Sequence, residues 1–362
     1  MSQERIVRLA MIGCGGIANG KHLPVLAKMK NVELVAFCDI DIEAAKSSCE
    51  RFGAEGAKTY VNYKDLLEDN SIEVVHVCTP NRSHSFITVD ALEAGKHVMC
   101  EKPMAINYAE AKKMLDAAKR TGKKLTIGYQ NRFREDSTLL HKMCANDELG
   151  EIYYAKAHAI RRRNVPTWGV FLKAEEQGGG PLIDIGTHAL DLTLWMMNNY
   201  KPKYVVGNSY RKLANQEMQG NKWGKWDPTE FTVEDSAFGF ITMENGATIL
   251  VEASWALNSL EIGEAETLLC GTKAGADMND GLKINLIEHD EHVTKEMSFD
   301  KKAIAFFGDK KINPAEVEAK LWIEAIINDT PPLVKPEEAI VVTQILDAIY
   351  ESAKTGKPVY FE

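Results

Sequence analysis

The chain has 362 residues, 45% hydrophobic and 26% charged, with a formal net charge of −9. That length calls for two domains rather than one core, and the composition is that of an ordinary globular chain. The acidic balance argues against nucleic acid or an anionic membrane surface as the main partner; Arg161-Arg162-Arg163 is the one basic cluster.

Taken in chain order, residues 6–12 read as a strand and 17–29 as a helix. The same alternation continues through a strand at 32–38, a helix at 42–52, a strand at 72–78 and a helix at 84–94. A strand at 96–100, a helix at 108–120 and a strand at 124–129 complete it. Short apolar runs alternating with helices predict a parallel sheet covered on both faces, and the right-handed crossover rule makes it doubly wound. Beyond a helix at 135–145 the pattern changes to longer strands at 152–160, 204–210, 233–242, 248–257 and 264–269. Glu244-Asn245-Gly246 between two of them is a hairpin signal. The second half should therefore hold a mostly antiparallel sheet, covered by helices at 188–197, 314–327 and 336–353. The expected domains are 1–128 and 129–362. The segment 216–228, with Trp223 and Trp226, is long for a hairpin loop and reads as a lid, an interface or a surface excursion.

Seven cysteines at 14, 38, 49, 78, 100, 144 and 270 form no C-x-x-C pair and read as reduced, buried thiols. With no apolar signal region at the start and no long apolar run, a cytoplasmic protein with no membrane partner is expected.

Gly13-Cys14-Gly15-Gly16-Ile17-Ala18 follows the first strand and opens the first helix, fitting G-x-G-x-x-A. The first glycine permits a tight turn, the second lets a pyrophosphate approach the backbone, and the small third residue packs helix on strand. Asp39 ends the second strand 21 residues after Ala18, where a carboxylate accepts from the adenosine ribose and repels a 2′-phosphate. That favours NAD over NADP. Asp41 is the alternative, and a helix N-cap is a second role open to Asp39. Thr79-Pro80-Asn81 at the end of the third strand suits phosphate or ribose contacts, or plain turn chemistry.

Two further stretches carry chemistry. Glu101-Lys102-Pro103 ends the fourth strand at the rim where open α/β sheets bind ligands. Gly178-Gly179-Gly180-Pro181 leads into Asp184, His188 and Asp191, whose spacing puts all three on one helix face if the helix begins by about 184. Two carboxylates and an imidazole on one face suit acid–base work, and Asp184 suits an N-cap equally.

Together the glycine fingerprint, Thr-Pro-Asn-x-x-His at 79–84, Glu-Lys-Pro at 101–103 and Asp-x-Gly-x-His at 184–188 resemble the Gfo/Idh/MocA oxidoreductases, over nearly the whole chain. The resemblance implies a Rossmann domain, a second domain with an open sheet, and an active site between them. It implies Lys102, Asp184 and His188 as catalytic residues, and Gly13, Gly15, Gly16, Ile17, Asp39, Thr79, Pro80, Asn81 and His84 as cofactor contacts. Glu101 is expected beside the nicotinamide ribose, and Lys102 at both cofactor and substrate. The expected reaction is hydride transfer between a secondary alcohol of a sugar, sugar derivative or cyclitol and NAD. Either His188, held by Asp184 or Asp191, or Lys102 takes the hydroxyl proton, a role worth roughly 10²–10⁴ in rate. Two other classes stay open: an NAD-dependent glycosidase with transient oxidation, and a non-catalytic sugar or dinucleotide sensor.

For substrate binding, Arg132, Arg161, Arg163 and Trp168 join Lys102, Asp184 and His188 as candidates. The arginines suit hydroxyls or a carboxylate, and the tryptophan suits a sugar face. His289 and His292 lack a clear third ligand, so no metal is expected. An exposed sheet face needs covering, which predicts a homodimer or homotetramer.

Overall fold

The computed structural model describes residues 5–216, 218–299 and 313–361. Glu217, within the segment 216–228, lies outside them. The chain divides into two compact units: Met1–Gln130 with Asn313–Ile340, and Asn131–Ile312 with Val341–Glu362.

The first unit holds strands β1 (Val7–Ile12), β2 (Val32–Cys38), β3 (Lys58–Tyr60), β4 (Val74–Val77), β5 (His97–Cys100) and β6 (Leu125–Ile127). They form one parallel sheet in the order β3-β2-β1-β4-β5-β6. This is the doubly wound order, whose reversal between β1 and β4 opens a crevice at the strands' carboxyl ends. β1 apart from Arg8, and β4 throughout, are buried, which is why both read as largely apolar runs. Local signals set the helix ends. Asp41 accepts from Glu43 N (3.0 Å) to cap Ile42–Phe52, and Asn107 accepts from Glu110 N (2.9 Å) to cap Tyr108–Thr121. Gly122, at φ +66°, closes the latter.

The helix Pro314–Ile327, expected over the second sheet, packs on this unit instead. Its stripe of Ala319, Trp322, Ile323 and Ile326 shares a core with Val7, Leu9, Met11, Leu23 and Leu26. The spacing is helical and apolar, which sequence can read; which sheet it covers is a matter of chain return.

The second unit contains β7 (Ile152–Ile160), β8 (Pro202–Tyr210), β9 (Ser236–Met243), β10 (Thr248–Ser254), β11 (Gly263–Gly271), β12 (Ala274–Asp277), β13 (Lys283–Glu288), β14 (Glu291–Glu296) and β15 (Val359–Tyr360). Their order is β14-β13-β12-β11-β7-β10-β9-β8-β15, antiparallel throughout except for β7 with β10. The Asn245-Gly246 signal forms the β9–β10 hairpin, with Gly246 at φ +88°. On one face Val205, Ile241, Ile249, Ala155 and Leu269 line up across five strands and are buried. The helix Thr187–Met197 and, from Val341 on, the helix Pro336–Thr355 lie in this unit's part of the chain, and Ile349 of the latter fills space that a side chain at Gly207 or Gly239 would need. On the other face the matching row is Val206, Phe240, Leu250, Lys156 and Leu268, with Val206 and Phe240 exposed.

Among the described residues, no helix is long and apolar enough to cross a membrane.

Candidate active site residues and the family of the chain

At the carboxyl end of β1 the chain turns through Gly13, whose φ is +91°. A Cβ there would lie 2.6 Å from the Cys78 carbonyl carbon, so glycine is required both by conformation and by the close approach of β4's end. Above Gly15 and Gly16 the space is open, and Gly15, Gly16 and Ile17 are exposed. Asn19 tethers the loop from below, donating to the carbonyls of Cys14 (2.7 Å) and Gly15 (3.2 Å). The helix starts with a wide π-type turn, Ala18–His22, and continues as Leu23–Leu26. An exposed run of backbone at a helix start, with nothing filling the space above it, suits a pyrophosphate. The dinucleotide thus fits the residues present.

Asp39 accepts from Cys14 N (2.8 Å) through one oxygen and from Asp41 N (3.0 Å) through the other. Capping the next helix falls to Asp41. Asp39 is therefore the carboxylate that touches the glycine loop, and Asp41 is not interchangeable with it. Ile40 beside it is 92% exposed. Burial pushes the Cys14 thiol up to about 11, so it stays protonated at the loop.

Around β4 and β5 the expected contacts divide. Thr79 accepts from Ser83 Oγ (2.7 Å), Pro80 precedes the helix Asn81–Glu93, and Asn81 is nearly buried at its start. His84, expected at the cofactor, is fully buried. Its Nδ1 lies 2.8 Å from the Pro103 carbonyl and its Nε2 2.8 Å from the Thr79 carbonyl. It joins the turn after β4 to the turn after β5 through both ring nitrogens.

Glu101 also differs from expectation. Its carboxylate is buried, 2.8 Å from Lys21 Nζ and 2.7 Å from His22 Nε2, while its other oxygen accepts from Lys102 N (3.0 Å). Lys21 makes a second ion pair with Glu318 (2.8 Å) on Pro314–Ile327. The carboxylate fills the space where a side chain at Gly128 would sit. Glu101 is thus held by Lys21, His22 and the Lys102 backbone. Burial alone would raise its carboxyl, but the Lys21 ammonium and His22 outweigh that and hold it well below the usual range. Burial pushes the His76 imidazole, edge-on to His22 at 5.3 Å, well below its ordinary value. Lys102 follows directly, partly exposed, before a cis peptide to Pro103. Lys21, His22 and Glu318 were missed in the sequence; only the helical spacing of Glu318 with the apolar stripe hinted at an inward face.

In the second unit a π-type turn, Leu182–Gly186, runs into the helix Thr187–Met197. From Leu182 to Leu190 every residue is buried except Asp184 and His188, which are half-buried. Four residues apart, they emerge on one side of an otherwise enclosed turn. Gly186 allows this packing, since a Cβ there would come within 3.0 Å of Ala253 on β10. Asp184 accepts from Trp255 Nε1 (3.0 Å) and lies 3.9 Å from Arg161 Nη1.

Asp191 is not part of that pair. It is buried against Arg132, which binds it through Nε (2.9 Å) and Nη2 (2.6 Å) and lies over the Trp195 ring at 5.3 Å. Arg132, expected to bind substrate, is 1% exposed, so its fork is a core ion pair. Arg161 is likewise engaged, bidentate to Glu264 (2.6 and 2.7 Å), with one face over Trp223 at 5.0 Å. Arg163 donates to Ala256 O (3.4 Å) and Asn258 Oδ1 (3.2 Å). Trp168 is exposed, as a sugar-stacking residue would be.

The glycine loop before Asp184 is held by a residue the sequence did not flag. Glu234, buried, accepts from Gly180 N (2.8 Å), Leu182 N (3.1 Å) and Tyr350 Oη–H (2.7 Å). Side chains at Gly179 or Gly180 would collide with Tyr350 or with the Glu234 backbone. Burial raises the Glu234 carboxyl above its ordinary value, although its three donors favour the ionised form.

Two halves of one family description match this chain: the NAD-binding Rossmann fold of the Gfo/Idh/MocA oxidoreductases over residues 7–129, and that family's C-terminal alpha/beta domain over 141–361. The chain belongs to the Gfo/Idh/MocA oxidoreductases. It carries that family's NAD-binding domain and is a dehydrogenase-type oxidoreductase. D-glucoside 3-dehydrogenase of Escherichia coli K12 is 36% identical over 358 residues, 97% of this chain and 96% of that protein. Inositol 2-dehydrogenase of Salmonella typhimurium LT2 is 29% identical over 198 residues, 54% of this chain and 56% of that protein. In fold, the structure of levoglucosan dehydrogenase with NADH and levoglucosan matches with a TM-score of 0.84 at 22% identity, covering 98% of this chain and 99% of that one.

Proposed function

We propose that this enzyme oxidises a secondary hydroxyl of a D-glucoside or closely related sugar to a ketone, with NAD+ as the acceptor. The observation that carries the reading is the Asp184–His188 pair, the only part-exposed residues of a buried turn, in a chain 36% identical along its length to a D-glucoside 3-dehydrogenase. That likeness favours oxidation at carbon 3 over other positions.

NAD+ held at residues 13–17 and Asp39 would supply the acceptor for the hydride from the carbinol carbon. The hydroxyl proton leaves to His188 or Lys102, so the alcohol loses two electrons and two hydrogens in all. Asp184 orients the acid–base group and is itself fixed by Trp255 and biased by Arg161. Lys102 steadies negative charge on the reacting oxygen. Gly13, Gly15, Gly16 and Ile17 take the pyrophosphate, and Asp39 takes the adenosine ribose hydroxyls. A carboxylate there repels a 2′-phosphate, which supports NAD over NADP. Thr79 and Asn81 border the same strand ends.

The exposed row containing Val206 and Phe240, with Tyr204 and Tyr360 beside it, is an apolar sheet face that a second copy of the chain would cover. A homodimer or homotetramer follows from that reading.

The test is NADH formation from methyl β-D-glucoside and NAD+, with product analysis for the 3-ketone. Lys102→Ala and His188→Ala should each lower kcat by about 10²–10⁴. Turnover that survives both substitutions would overturn the assignment of catalytic groups.

A further inference from the structure

Of the six tryptophans, Trp195, Trp226, Trp255 and Trp322 are buried, whereas Trp168 is 52% and Trp223 39% exposed. The two exposed rings meet edge to face at 5.1 Å, and Phe171 packs on Trp168 at 5.9 Å. Exposed indoles lose the hydrophobic gain of burial, so something else must hold them in place.

What holds them is a set of hydrogen bonds between two loops. Asn221 accepts from Val165 N (2.8 Å) and donates back to Val165 O (2.9 Å), copying a backbone pair. Lys222 N donates to Arg163 O (3.1 Å), and Thr167 Oγ–H donates to Trp223 O (2.6 Å). Inside the loop, Gln219 pairs with both backbone groups of Trp226 (2.9 and 3.0 Å), whose indole donates to Ala214 O (2.9 Å). The segment is thus a built loop that buries one tryptophan and presents another. One side chain lies near both the loop and the candidate catalytic pair. The Arg161 guanidinium lies over Trp223 at 5.0 Å and 3.9 Å from Asp184. That guanidinium links the aromatic pair to the Asp184 carboxylate.

We propose that Trp223 and Trp168 form the binding surface for the second ring, the aglycone or a further sugar, of a glycoside whose glucosyl ring is oxidised beside Asp184. This rests on the sugar-oxidising function proposed above. The C–H face of a pyranose or the face of an aryl group stacks on an indole, and the Arg161 cation polarises the Trp223 ring it covers from the other side. Arg161 has its fork held by Glu264, so it acts on the ring and on Asp184 as a fixed charge. The enzyme should therefore favour two-ring glucosides over free glucose or methyl glucoside.

Calorimetric binding to the NADH-loaded enzyme, alongside NAD+-dependent initial rates, tests this with phenyl β-D-glucoside, cellobiose and methyl β-D-glucoside. Trp223→Ala should weaken the two-ring ligands about tenfold more than methyl glucoside, the scale of one lost aromatic contact. Trp223→Phe should restore much of the difference, and Trp168→Ala should act in the same direction. Equal losses for one-ring and two-ring ligands in variants that keep the parent's melting temperature would overturn the platform while leaving the sugar-oxidising function standing. A parent enzyme that neither binds nor oxidises any of the three would overturn both.

Discussion

Replacing Glu234 tests whether the loop before Asp184 is actively held. The carboxylate receives three donors, from Gly180, Leu182 and Tyr350, in a buried site. Glu234→Gln keeps size and shape but has only one acceptor oxygen. Its NH2 must then face a backbone N–H or the tyrosine hydroxyl, losing one bond and leaving at least one donor unmatched, at about 2–3 kcal/mol. Glu234→Ala strands all three donors, and water entering the space offsets part of the loss, for about 4 kcal/mol. For a unit of this size that lowers the melting temperature by roughly 10 °C. Because Leu182 opens the turn that carries Asp184 and His188, kcat should fall at least about tenfold in both variants, with KM changing less. Thermal unfolding by circular dichroism and steady-state rates read both effects. The sign with pH is also set. Burial raises the folded Glu234 carboxyl above its unfolded value. The native state therefore binds the proton more readily, and this group's contribution to stability falls as pH rises from the ordinary glutamate value through the raised one. Glu234→Gln should remove that slope. A Gln variant within about 0.5 kcal/mol of the parent, with unchanged kcat, would refute the clamp.

Three other outcomes follow from the same geometry. Asp39→Ser should lower the ratio of kcat/KM with NAD to that with NADP by at least about tenfold, read from initial rates with each cofactor; an unchanged ratio would move ribose recognition elsewhere. Lys21→Met leaves Glu101 and Glu318 buried without their cation and should cost about 3–5 kcal/mol in urea unfolding. Glu101's depressed carboxyl stabilises the fold fully above the ordinary glutamate range and loses that effect as pH falls through its folded value, so the variant should also flatten the acid limb. Phe240→Asp puts a charge in the exposed sheet row and should shift light-scattering mass toward a monomer; a parent already monomeric at micromolar concentration would refute the covered face.

Much of the fold was legible because local chemistry wrote it. The helices at 42–52, 135–145 and 314–327 have the expected bounds; Asp41 and Asn313 cap the first and third, and apolar spacing acts within a few residues. The strands that were missed, β3 and β12 to β15, are short or lie at the sheet edges, where side chains carry little periodic signal. The candidate site was legible in part. Gly13, Asp39, Asp184 and His188 stand out as candidates because backbone shape and spacing along one element mark them locally. Arg132, Glu101 and His84 are held by protein partners that the sequence did not show, for a common reason. A charged or polar side chain next to a motif looks available in sequence, but its partner lies far along the chain: Asp191 for Arg132, Lys21 for Glu101, the Pro103 carbonyl for His84.

The sequence by itself determined the two-part organisation, the glycine loop with its acidic partner, and the Asp184–His188 pair, since each is encoded within about one supersecondary unit. Tertiary structure alone decided which charges are engaged and which are presented. Arg161 beside Asp184, Glu234 beneath the glycine loop and the exposed Trp168–Trp223 pair all join segments separated by tens of residues. Burial, not residue type, turned Arg132 and Glu101 into structural ions, because a charge inside a protein must find its counter-charge there.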